Sequence, residues 1–420
     1  MRKCAAFILL TLLPLATLSH CWWQNRGVPR VEWQWQFEQP GDDSPNDAGC
    51  HEGALYVVGR NEHEPRATSL VEWRGFVVKL KGGDGPSLLW QRWVGRDDCD
   101  TTANGVCANQ TGVYVVGSTR GPLPPGSRPA RADTDALVVR YTTDGGVVWT
   151  RHWGGPGDDR AWGVAADPTG VYVLVDTRFP RGLGGDRANA RVTVRKYSLH
   201  GAELWARRVD LPGHCWAAAV AADPTGVYVA GETRAARSGG GVQQTGGAFV
   251  TKYRSDGQVL WTDQFGKPGG LAADVCAGSD GIYVVGLGSW PSVGQNRMAF
   301  ARHYRHSGEL VWEMPAADRR YSTWLAAVFA DESAVYSLGS LAAPRLRLYH
   351  RFGVSDGCLA QYSSSGELLW IKQLGAPSSA YPFALVGDAD HLYAVAAAGF
   401  VGTGQDSKVL VTALSRPARR

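Results

Sequence analysis

The sequence predicts an all-β fold, a seven-bladed β-propeller of four-stranded antiparallel blades. Three observations predict it: a tryptophan motif repeated at near-constant spacing, a tyrosine in an apolar run that recurs seven times, and a tryptophan-bearing strand displaced to the N-terminal end. Glycine (53) and tryptophan (17) are abundant and methionine (3) is scarce, which is typical of sheets joined by tight turns rather than of helices.

The first signal is a tryptophan that follows a turn glycine by a few residues, as in GGVVW, GAELW and GELLW. Successive copies are separated by 59, 56, 56, 51 and 58 residues. Its six copies are Trp90, Trp149, Trp205, Trp261, Trp312 and Trp370. A repeat of this length is typical of a propeller or another repeat architecture.

The second signal is a tyrosine between the tryptophans, and an apolar strand such as ALVVRY or AFVTKY follows each one. The seven tyrosines are Tyr56, Tyr114, Tyr172, Tyr228, Tyr283, Tyr336 and Tyr393. Each unit therefore has four short strands, which indicates propeller blades. The octapeptide ADPTGVYV occurs at residues 166–173 and 222–229, and its Asp-Pro-Thr-Gly predicts a type I turn with a structural role.

The seventh tryptophan strand is missing from the C-terminal end of the repeat. The segment VEWQWQF, residues 31–37, supplies it. We expect this strand to be the outermost strand of the last blade, so that both ends of the chain meet in one blade and close the ring. A β-solenoid, the alternative, would not need a displaced strand.

The predicted organisation is a signal peptide over residues 1–19 with a cleavage site between 19 and 21, a linker over 20–30, one propeller domain over 31–414, and a basic tail over 415–420. Arg2 and Lys3 precede an apolar run too short to span a bilayer comfortably, a pattern typical of secretory signals. We expect a secreted, periplasmic or cell-surface protein. A lipoprotein anchored at Cys21 is the less favoured alternative, because His20 does not fit a lipobox.

Composition excludes several function classes. The net charge of +4 is small and its charges are interspersed, so nucleic-acid binding is not expected. Segments after the signal peptide are too short and polar to cross a membrane. No HExxH, GxSxG or GxxxxGK[ST] motif is present, so no catalytic residue is assigned. The six cysteines of the propeller show no zinc spacing; buried free thiols are the preferred interpretation, although Cys99 and Cys107 are close enough in sequence for a bridge across a loop.

The two faces of the predicted propeller are unequal. Turns between first and second strands and between third and fourth strands are short, whereas the second-to-third-strand and blade-to-blade connections are long and several are rich in Arg and Gly. We call the face with these long connections the long-loop face, and we expect binding there because long loops on a rigid scaffold commonly carry function.

Four aromatic residues are the candidate ligand-binding residues at the channel mouth on this face: Trp162, Trp216, Trp324 and Tyr381. Three of them precede their blade's tyrosine by twelve residues, and Trp162 precedes Tyr172 by ten. Exposed rings there would offer stacking platforms for sugars. The alternative is that each ring fills the wedge between two blades, the commoner use of tryptophan.

Three acidic pairs on blade-to-blade loops are candidate metal ligands: Asp42, Asp43, Asp97, Asp98, Asp158 and Asp159. Paired carboxylates with backbone carbonyls could hold Ca²⁺, the one cofactor the sequence suggests. A calcium loop normally supplies more than two carboxylates, so capping a turn or pairing with Arg96 or Arg160 is the alternative.

The repeat units resemble the SBBP family, the seven-bladed β-propeller repeats of exported bacterial and archaeal proteins. The segment TRHWGGPGDDRAWGVAADPTGVYV, with YVAGETR and AFVTKY from the next unit, carries the resemblance. It covers residues 31–414 and is strongest in the third and fourth units. The resemblance implies an exported propeller scaffold and carries over no catalytic chemistry.

The sequence therefore predicts a non-enzymatic, monomeric binding scaffold that holds an extracellular glycan or a partner protein. The alternative is a propeller hydrolase or lyase acting on an extracellular polysaccharide. Two or more carboxylates facing each other across the channel mouth, one of them with a raised pKa, would favour the enzyme, and an apolar or neutral mouth would count against it. A third interpretation, an assembly scaffold, predicts a large flat apolar patch.

Overall fold

The computed structural model describes residues 28–416 except 38, 40, 64–71, 84, 96–98, 121–133, 156, 179–190, 235–245, 267, 290–296, 316–321, 333, 343–355, 375–379 and 400–406. The described chain consists of β-strands and their turns. In chain order the strands are β1 (Val31–Phe37), β2 (Asp43–His51), β3 (Ala54–His63), β4 (Glu72–Lys81), β5 (Ser87–Val94), β6 (Asp100–Asn109), β7 (Gly112–Arg120), β8 (Asp135–Tyr141), β9 (Val147–Trp153), β10 (Asp158–Asp167), β11 (Gly170–Arg178), β12 (Arg191–Tyr197), β13 (Glu203–Arg208), β14 (His214–Asp223), β15 (Gly226–Arg234), β16 (Gly247–Tyr253), β17 (Val259–Phe265), β18 (Leu271–Ala277), β19 (Ile282–Ser289), β20 (Arg297–Tyr304), β21 (Leu310–Pro315), β22 (Ser322–Ala330), β23 (Val335–Ala342), β24 (Asp356–Tyr362), β25 (Leu368–Leu374), β26 (Ala380–Gly387), β27 (His391–Ala398) and β28 (Lys408–Ser415).

The strands form seven four-stranded antiparallel sheets, which confirms the predicted fold class. Blades one to six are consecutive runs, from β2–β5 to β22–β25. The seventh blade has the order β26-β27-β28-β1, so its outermost strand comes from the N-terminal end. Trp35 of β1 pairs with Val411 of β28, as the displaced strand predicted. The described residues contain no helix of the length and apolarity that a bilayer crossing requires.

The hydrophobic core lies between the blades rather than within a single centre. Seven clusters of buried apolar side chains are present among the described residues, one at each junction of neighbouring blades. At the junction of blades seven and one, Phe37 of β1 lies 5.0 Å from Phe76 of β4, centroid to centroid. Burial of these apolar faces is the main stabilising term, and it makes the ring rigid.

The two repeated sequence signals meet in every blade. The tyrosine of the second strand is at most 3% exposed in all seven blades. Its ring lies 5.9 to 6.2 Å from the tryptophan of the outermost strand of the same blade, centroid to centroid. These aromatic pairs explain the periodicity, because each blade needs one to fill the same space against its neighbour.

The repeated Asp-Pro-Thr-Gly turn is stabilised by its own aspartate. Asp167 Oδ1 accepts hydrogen bonds from the amides of Thr169 (2.6 Å) and Gly170 (3.0 Å), and Oδ2 accepts one from the Tyr172 hydroxyl at 3.0 Å. Asp223 makes the same set in the next blade. The turn thus connects the innermost strand to the buried tyrosine, a structural role.

Candidate functional site

The innermost strands β2, β6, β10, β14, β18, β22 and β26 surround a central channel of about 740 Å³. Most of the lining side chains are small, and alanine is the commonest residue among them. Each innermost strand begins on the long-loop face and runs away from it. The channel therefore has a mouth on the long-loop face, and residues early in these strands form its rim.

Each innermost strand carries one β-bulge at an equivalent position, where the register with the second strand shifts. The bulged residues are Asn46, Asn104, Trp162, Ala218, Ala273, Ala326 and Phe383. A bulge re-aims the side chains around it, and these bulges place the residues on either side of them along the channel wall.

Trp216 and Trp324 form the aromatic rim of the mouth. Each lies two residues before the bulge of its strand, each lines the channel, and their side chains are exposed, with 41% and 39% of the residue surface accessible. Rings that filled the wedge between two blades would be buried, so this alternative does not describe these two residues. The guanidinium of Arg178, from the third blade, lies 5.3 Å from the centroid of the Trp216 ring.

The other two aromatic candidates occupy different positions. Trp162 is itself the bulged residue, half-buried in the channel wall, and its Nε1 finds no hydrogen-bond partner among the described residues. Tyr381 shares the register position of Trp216 but is half-buried and lies outside the channel lining. Phe383, 36% exposed, lines the channel instead. Sequence reasoning missed Phe383, although it precedes Tyr393 by the same ten residues that separate Trp162 from Tyr172.

Two carboxylates also line the channel, on the first and fifth blades. Asp47 accepts hydrogen bonds from the amides of Ala48 (2.8 Å) and Val106 (2.9 Å). Asp274 accepts them from Val275 and Val328, both at 2.8 Å. Because Val106 and Val328 belong to the following blades, each carboxylate connects two innermost strands.

Burial raises the pKa of both channel carboxyls to about 7, and the bonded amides oppose the shift only in part. The charge of Asp47 raises the pKa of Asp274 further, so the two groups interact through the channel. Sequence reasoning missed them, yet each precedes its blade's tyrosine by nine residues. The shared offset could have revealed them.

The first aspartate of the acidic pairs connects neighbouring blades on the long-loop face. Asp42 Oδ1 accepts a hydrogen bond from the amide of Ser407 in the seventh blade (2.6 Å), and Asp158 Oδ1 accepts one from Thr134 in the second blade (3.0 Å). In the second blade the equivalent residue is Asp100, which accepts from the amide of Trp73 at 2.9 Å. Asp158 also lies 3.9 Å from Arg160, the pairing that the sequence offered as an alternative.

The second aspartate of the two described pairs is buried. Asp43 accepts hydrogen bonds from the Gln39 amide (2.9 Å) and the Asn61 side chain (3.0 Å), and burial raises its pKa to about 6. Asp159 accepts from the Gly155 amide (2.8 Å) and the Thr177 hydroxyl, and burial raises its pKa too. The pair Asp97 and Asp98 lies outside the described residues.

No group of three or more potential metal ligands lies together in the described part of the chain. The calcium hypothesis therefore stays a prediction, with the hydrogen bonds above as the alternative use of these carboxylates. The six cysteines of the propeller are free thiols, and Cys50, Cys107 and Cys276 line the channel. Cys99 and Cys107 do not form the bridge considered above, because the extended strand β6 separates them by about 26 Å.

No protein-family model matches the chain, and no curated protein matches its sequence. Among solved structures it is similar to Trypanosoma rangeli sialidase in complex with sialic acid, at 10% identity and a TM-score of 0.45 over 94% of this chain and 57% of that one. It is similar to Drosophila Semaphorin 1b, extracellular domains 1-2 (9%, TM-score 0.45, 92% and 87% covered). It is also similar to the parainfluenza virus 5 hemagglutinin-neuraminidase ectodomain (8%, TM-score 0.48, 94% and 86% covered). Likenesses this distant say nothing about the ligand of this chain.

Proposed function

We propose that the protein is a non-enzymatic binding propeller that holds a polysaccharide at the channel mouth on its long-loop face. Trp216 and Trp324 are the stacking platforms, and Phe383 and Trp162 extend the aromatic surface into the channel. The protein needs no cofactor for this role, since aromatic stacking and backbone hydrogen bonds suffice to bind a sugar chain.

The exposure of Trp216 and Trp324 is the observation that carries the proposal. Tryptophan elsewhere in the fold has a structural role: Trp149 and Trp370, for example, are each 8% exposed in their outermost strands. Two indoles left accessible at the rim of one cavity, on a ring otherwise packed by its aromatic residues, are poorly explained by folding alone. Large, accessible aromatic side chains are a common basis of recognition.

The shape of the channel favours a sugar chain over a folded protein. A volume of about 740 Å³ falls within the range of small-molecule and oligosaccharide sites. Alanine is the commonest residue of its wall, so a ligand that enters meets few obstacles between the aromatic residues. Export forms part of the proposal, because the signal-like residues 1–19 and the resemblance to exported propellers would place the protein among extracellular polymers.

The test is a calorimetric titration of the protein with a panel of neutral and acidic polysaccharides. The site variant combines Trp216→Ala with Trp324→Ala. The control variant combines Leu89→Ala with Leu260→Ala, which removes apolar side chains that are 51% and 46% exposed on outermost strands, away from the channel. We expect saturable binding that the site variant loses and the control variant keeps.

Unchanged binding by the site variant would contradict the assignment of the site. If no polysaccharide binds, the proposal is wrong, and a partner protein at the same face becomes the function to test. The control variant separates loss of the site from a general effect of removing exposed apolar surface.

A second candidate, a polysaccharide hydrolase or lyase, is favoured by one observation: Asp47 and Asp274 share the channel and have pKa values near 7. A carboxyl that is protonated near neutral pH can act as a general acid. Against it, each carboxylate already accepts two amide hydrogen bonds that connect blades, which gives both a structural use.

Product analysis separates the two candidates. Each polysaccharide that binds is incubated with the wild-type protein and with Asp47→Asn and Asp274→Asn, and reducing ends and unsaturated products are measured. The binding proposal expects no product from any of the three proteins. Product from the wild type that either variant abolishes would establish the enzyme instead.

A further inference from the structure

Three arginines occupy one register position on consecutive blades of the long-loop face. Each is the last residue of a second strand: Arg120 ends β7, Arg178 ends β11 and Arg234 ends β15, and each is paired across the sheet with the first residue of the innermost strand. All three are exposed. The sequence carries them as a Thr-Arg pair after the apolar run, in GSTR, VDTR and GETR. We call these three residues the arginine arc.

The arc is confined to blades two to four. Each of these arginines follows its blade's tyrosine by six residues, and the residue at the same offset is Glu62 in the first blade, Ser289 in the fifth, Ala342 in the sixth and Gly399 in the seventh. At this register position the described residues are therefore asymmetric, with guanidinium groups on three consecutive blades and neutral or acidic residues on the other four. A packing role common to all blades would not be restricted in this way.

Two of the arginines are held by carboxylates that are themselves covered. Arg178 lies 2.8 Å from Asp176, and their side chains are 43% and 4% exposed. Arg234 lies 2.5 Å from Glu232, and their side chains are 65% and 6% exposed. A guanidinium has five N–H donors, so the buried acid fixes its orientation and leaves donors facing solvent. A ligand that approaches from outside meets the donors and not the acids.

The arc adjoins the aromatic rim at Trp216. Arg178 reaches the Trp216 ring from the third blade, 5.3 Å from its centroid. Glu232, the partner of Arg234, is the residue paired with Trp216 in the neighbouring strand. The indole thus contacts one of the three arginines, and its backbone is paired with the residue that binds a second. A ligand on Trp216 would have its substituents beside fixed guanidinium groups, which bind planar carboxylates well.

We propose that the ligand is an acidic polysaccharide, whose carboxylates pair with the arginine arc while a sugar face stacks on Trp216. This inference rests on the proposed function and deepens it, because it names the class of the glycan. Three guanidinium groups on consecutive blades, one of them in contact with an indole, suit a uronate chain with one carboxylate for each sugar ring.

The test compares two polymers that differ in charge alone: polygalacturonate and the same preparation after reduction of its carboxyl groups to alcohols. Calorimetry with the full chain gives both affinities. The site variant carries Arg120→Gln, Arg178→Gln and Arg234→Gln, and the rescue variant carries lysine at the same positions. We expect the wild type to bind polygalacturonate at least about tenfold more tightly than the reduced polymer. The glutamine variant should lose that preference and keep its affinity for the reduced polymer, while the lysine variant keeps most of the preference.

If the loss of Arg178 or Arg234 prevents folding, because the buried carboxylates are then unpaired, the salt dependence of binding provides a measurement that needs no variant. Raising NaCl from about 0.05 M to about 0.5 M should weaken wild-type binding of polygalacturonate and leave the reduced polymer unaffected. Equal affinity for the two polymers would overturn the inference and leave the proposed function intact. Binding of neither would overturn the inference, and the panel of neutral and acidic polysaccharides would then decide the proposed function. A single-stranded oligonucleotide that bound as tightly as polygalacturonate, competing for the same site, would overturn the assignment to a polysaccharide.

Discussion

The indole Nε1 of Trp33 donates a hydrogen bond to the carbonyl oxygen of Gly83, at 2.7 Å. Trp33 lies in the outermost strand of the seventh blade, and Gly83 lies in the turn between the third and fourth strands of the first, so this bond crosses the closure of the ring. The same bond joins five other neighbouring blades, at 3.0 to 3.1 Å: Trp90 to Thr143, Trp149 to Leu199, Trp205 to Ser255, Trp261 to His306 and Trp312 to Ser364.

The sixth blade shows why the bond depends on the turn. Trp370 holds the equivalent position, but its Nε1 finds no hydrogen-bond partner among the described residues. The next blade has no turn there, because its third and fourth strands, β28 and β1, are the two ends of the chain. Arg416 spans this junction instead: it donates to the Asp388 carbonyl at 2.6 Å and pairs with Asp331 of the sixth blade.

The first prediction concerns this closure. Trp33→Phe keeps an aromatic ring but removes the donor to Gly83, so we expect it to lower the free energy of unfolding by about 1–2 kcal/mol. Trp370→Phe is the matched control, since it removes a buried donor that has no partner among the described residues, and it should cost less. Urea unfolding of both variants checks this, and an equal or larger loss for Trp370→Phe would contradict it.

The second prediction concerns the repeated turn. Asp167→Ala removes the acceptor of two backbone amides and of the Tyr172 hydroxyl, so we expect a loss of about 2–3 kcal/mol in the free energy of unfolding. Asp256→Ala, which breaks an exposed pair with Arg254, is the control and should leave the urea midpoint unchanged. Similar midpoints for the two variants would show that the Asp-Pro-Thr-Gly turn is not a stabilising element.

The third prediction separates exposed from buried tryptophan. Trp216→Ala and Trp324→Ala should each cost about 1 kcal/mol or less, because both residues keep about two-fifths of their surface accessible. Trp149→Ala should cost about 3–5 kcal/mol, because that ring is 8% exposed and donates to Leu199. Denaturant unfolding of the three variants provides the comparison. A loss in free energy of unfolding at Trp216 or Trp324 as large as that at Trp149 would show that these two residues are part of the core.

How much of this could be predicted from the sequence depends on what makes a residue recur. The tyrosines and tryptophans of the blades recur because each blade fills the same space with a pair such as Tyr172 and Trp205, 6.0 Å apart. Their period predicted the number of blades and the closing strand. Residues of a ligand site have no reason to recur in every blade, so a period cannot find them.

Errors in register account for the site residues that the sequence placed wrongly. The sequence aligned Asp97 and Asp98 with the other acidic pairs, but Asp100 and Thr101 occupy the equivalent positions, because the connection before β6 differs in length. The bulge likewise separates Trp162 from Trp216 in depth along the channel, because Trp162 is the bulged residue and Trp216 lies two residues before the bulge of its strand. Asp47 and Asp274 share a nine-residue offset from their tyrosines, but they were missed because an acidic residue occurs at that offset in two blades only.

The fourth prediction concerns the pH dependence of stability. Burial raises the pKa of Asp47 and Asp274 to about 7 in the folded protein, against about 3.9 in an unfolded chain. Between these values the folded protein holds two protons that the unfolded chain has released. Their contribution to stability therefore falls as the pH rises through this window and levels off above pH of about 7.

The measurement is urea unfolding of the wild type and of Asp47→Asn with Asp274→Asn, at a pH of about 5 and of about 8. The difference in free energy of unfolding, wild type minus variant, should fall by at least about 1 kcal/mol from the lower to the higher pH. The variant cancels contributions from other groups, such as Asp43. A difference that stays constant would show that neither carboxyl titrates in this range.

The most direct test of the central claim, that the rim indoles hold the ligand, is fluorine NMR of protein labelled with 5-fluorotryptophan. Resonances of Trp216, Trp324, Trp205 and Trp261 are assigned from single Trp→Phe variants, and polygalacturonate and its carboxyl-reduced form are then added. We expect the Trp216 and Trp324 resonances to shift to saturation while the chemical shifts of Trp205 and Trp261, in the outermost strands, stay unchanged. Binding that shifts the outer tryptophans alone, or leaves both rim indoles unperturbed, would contradict it.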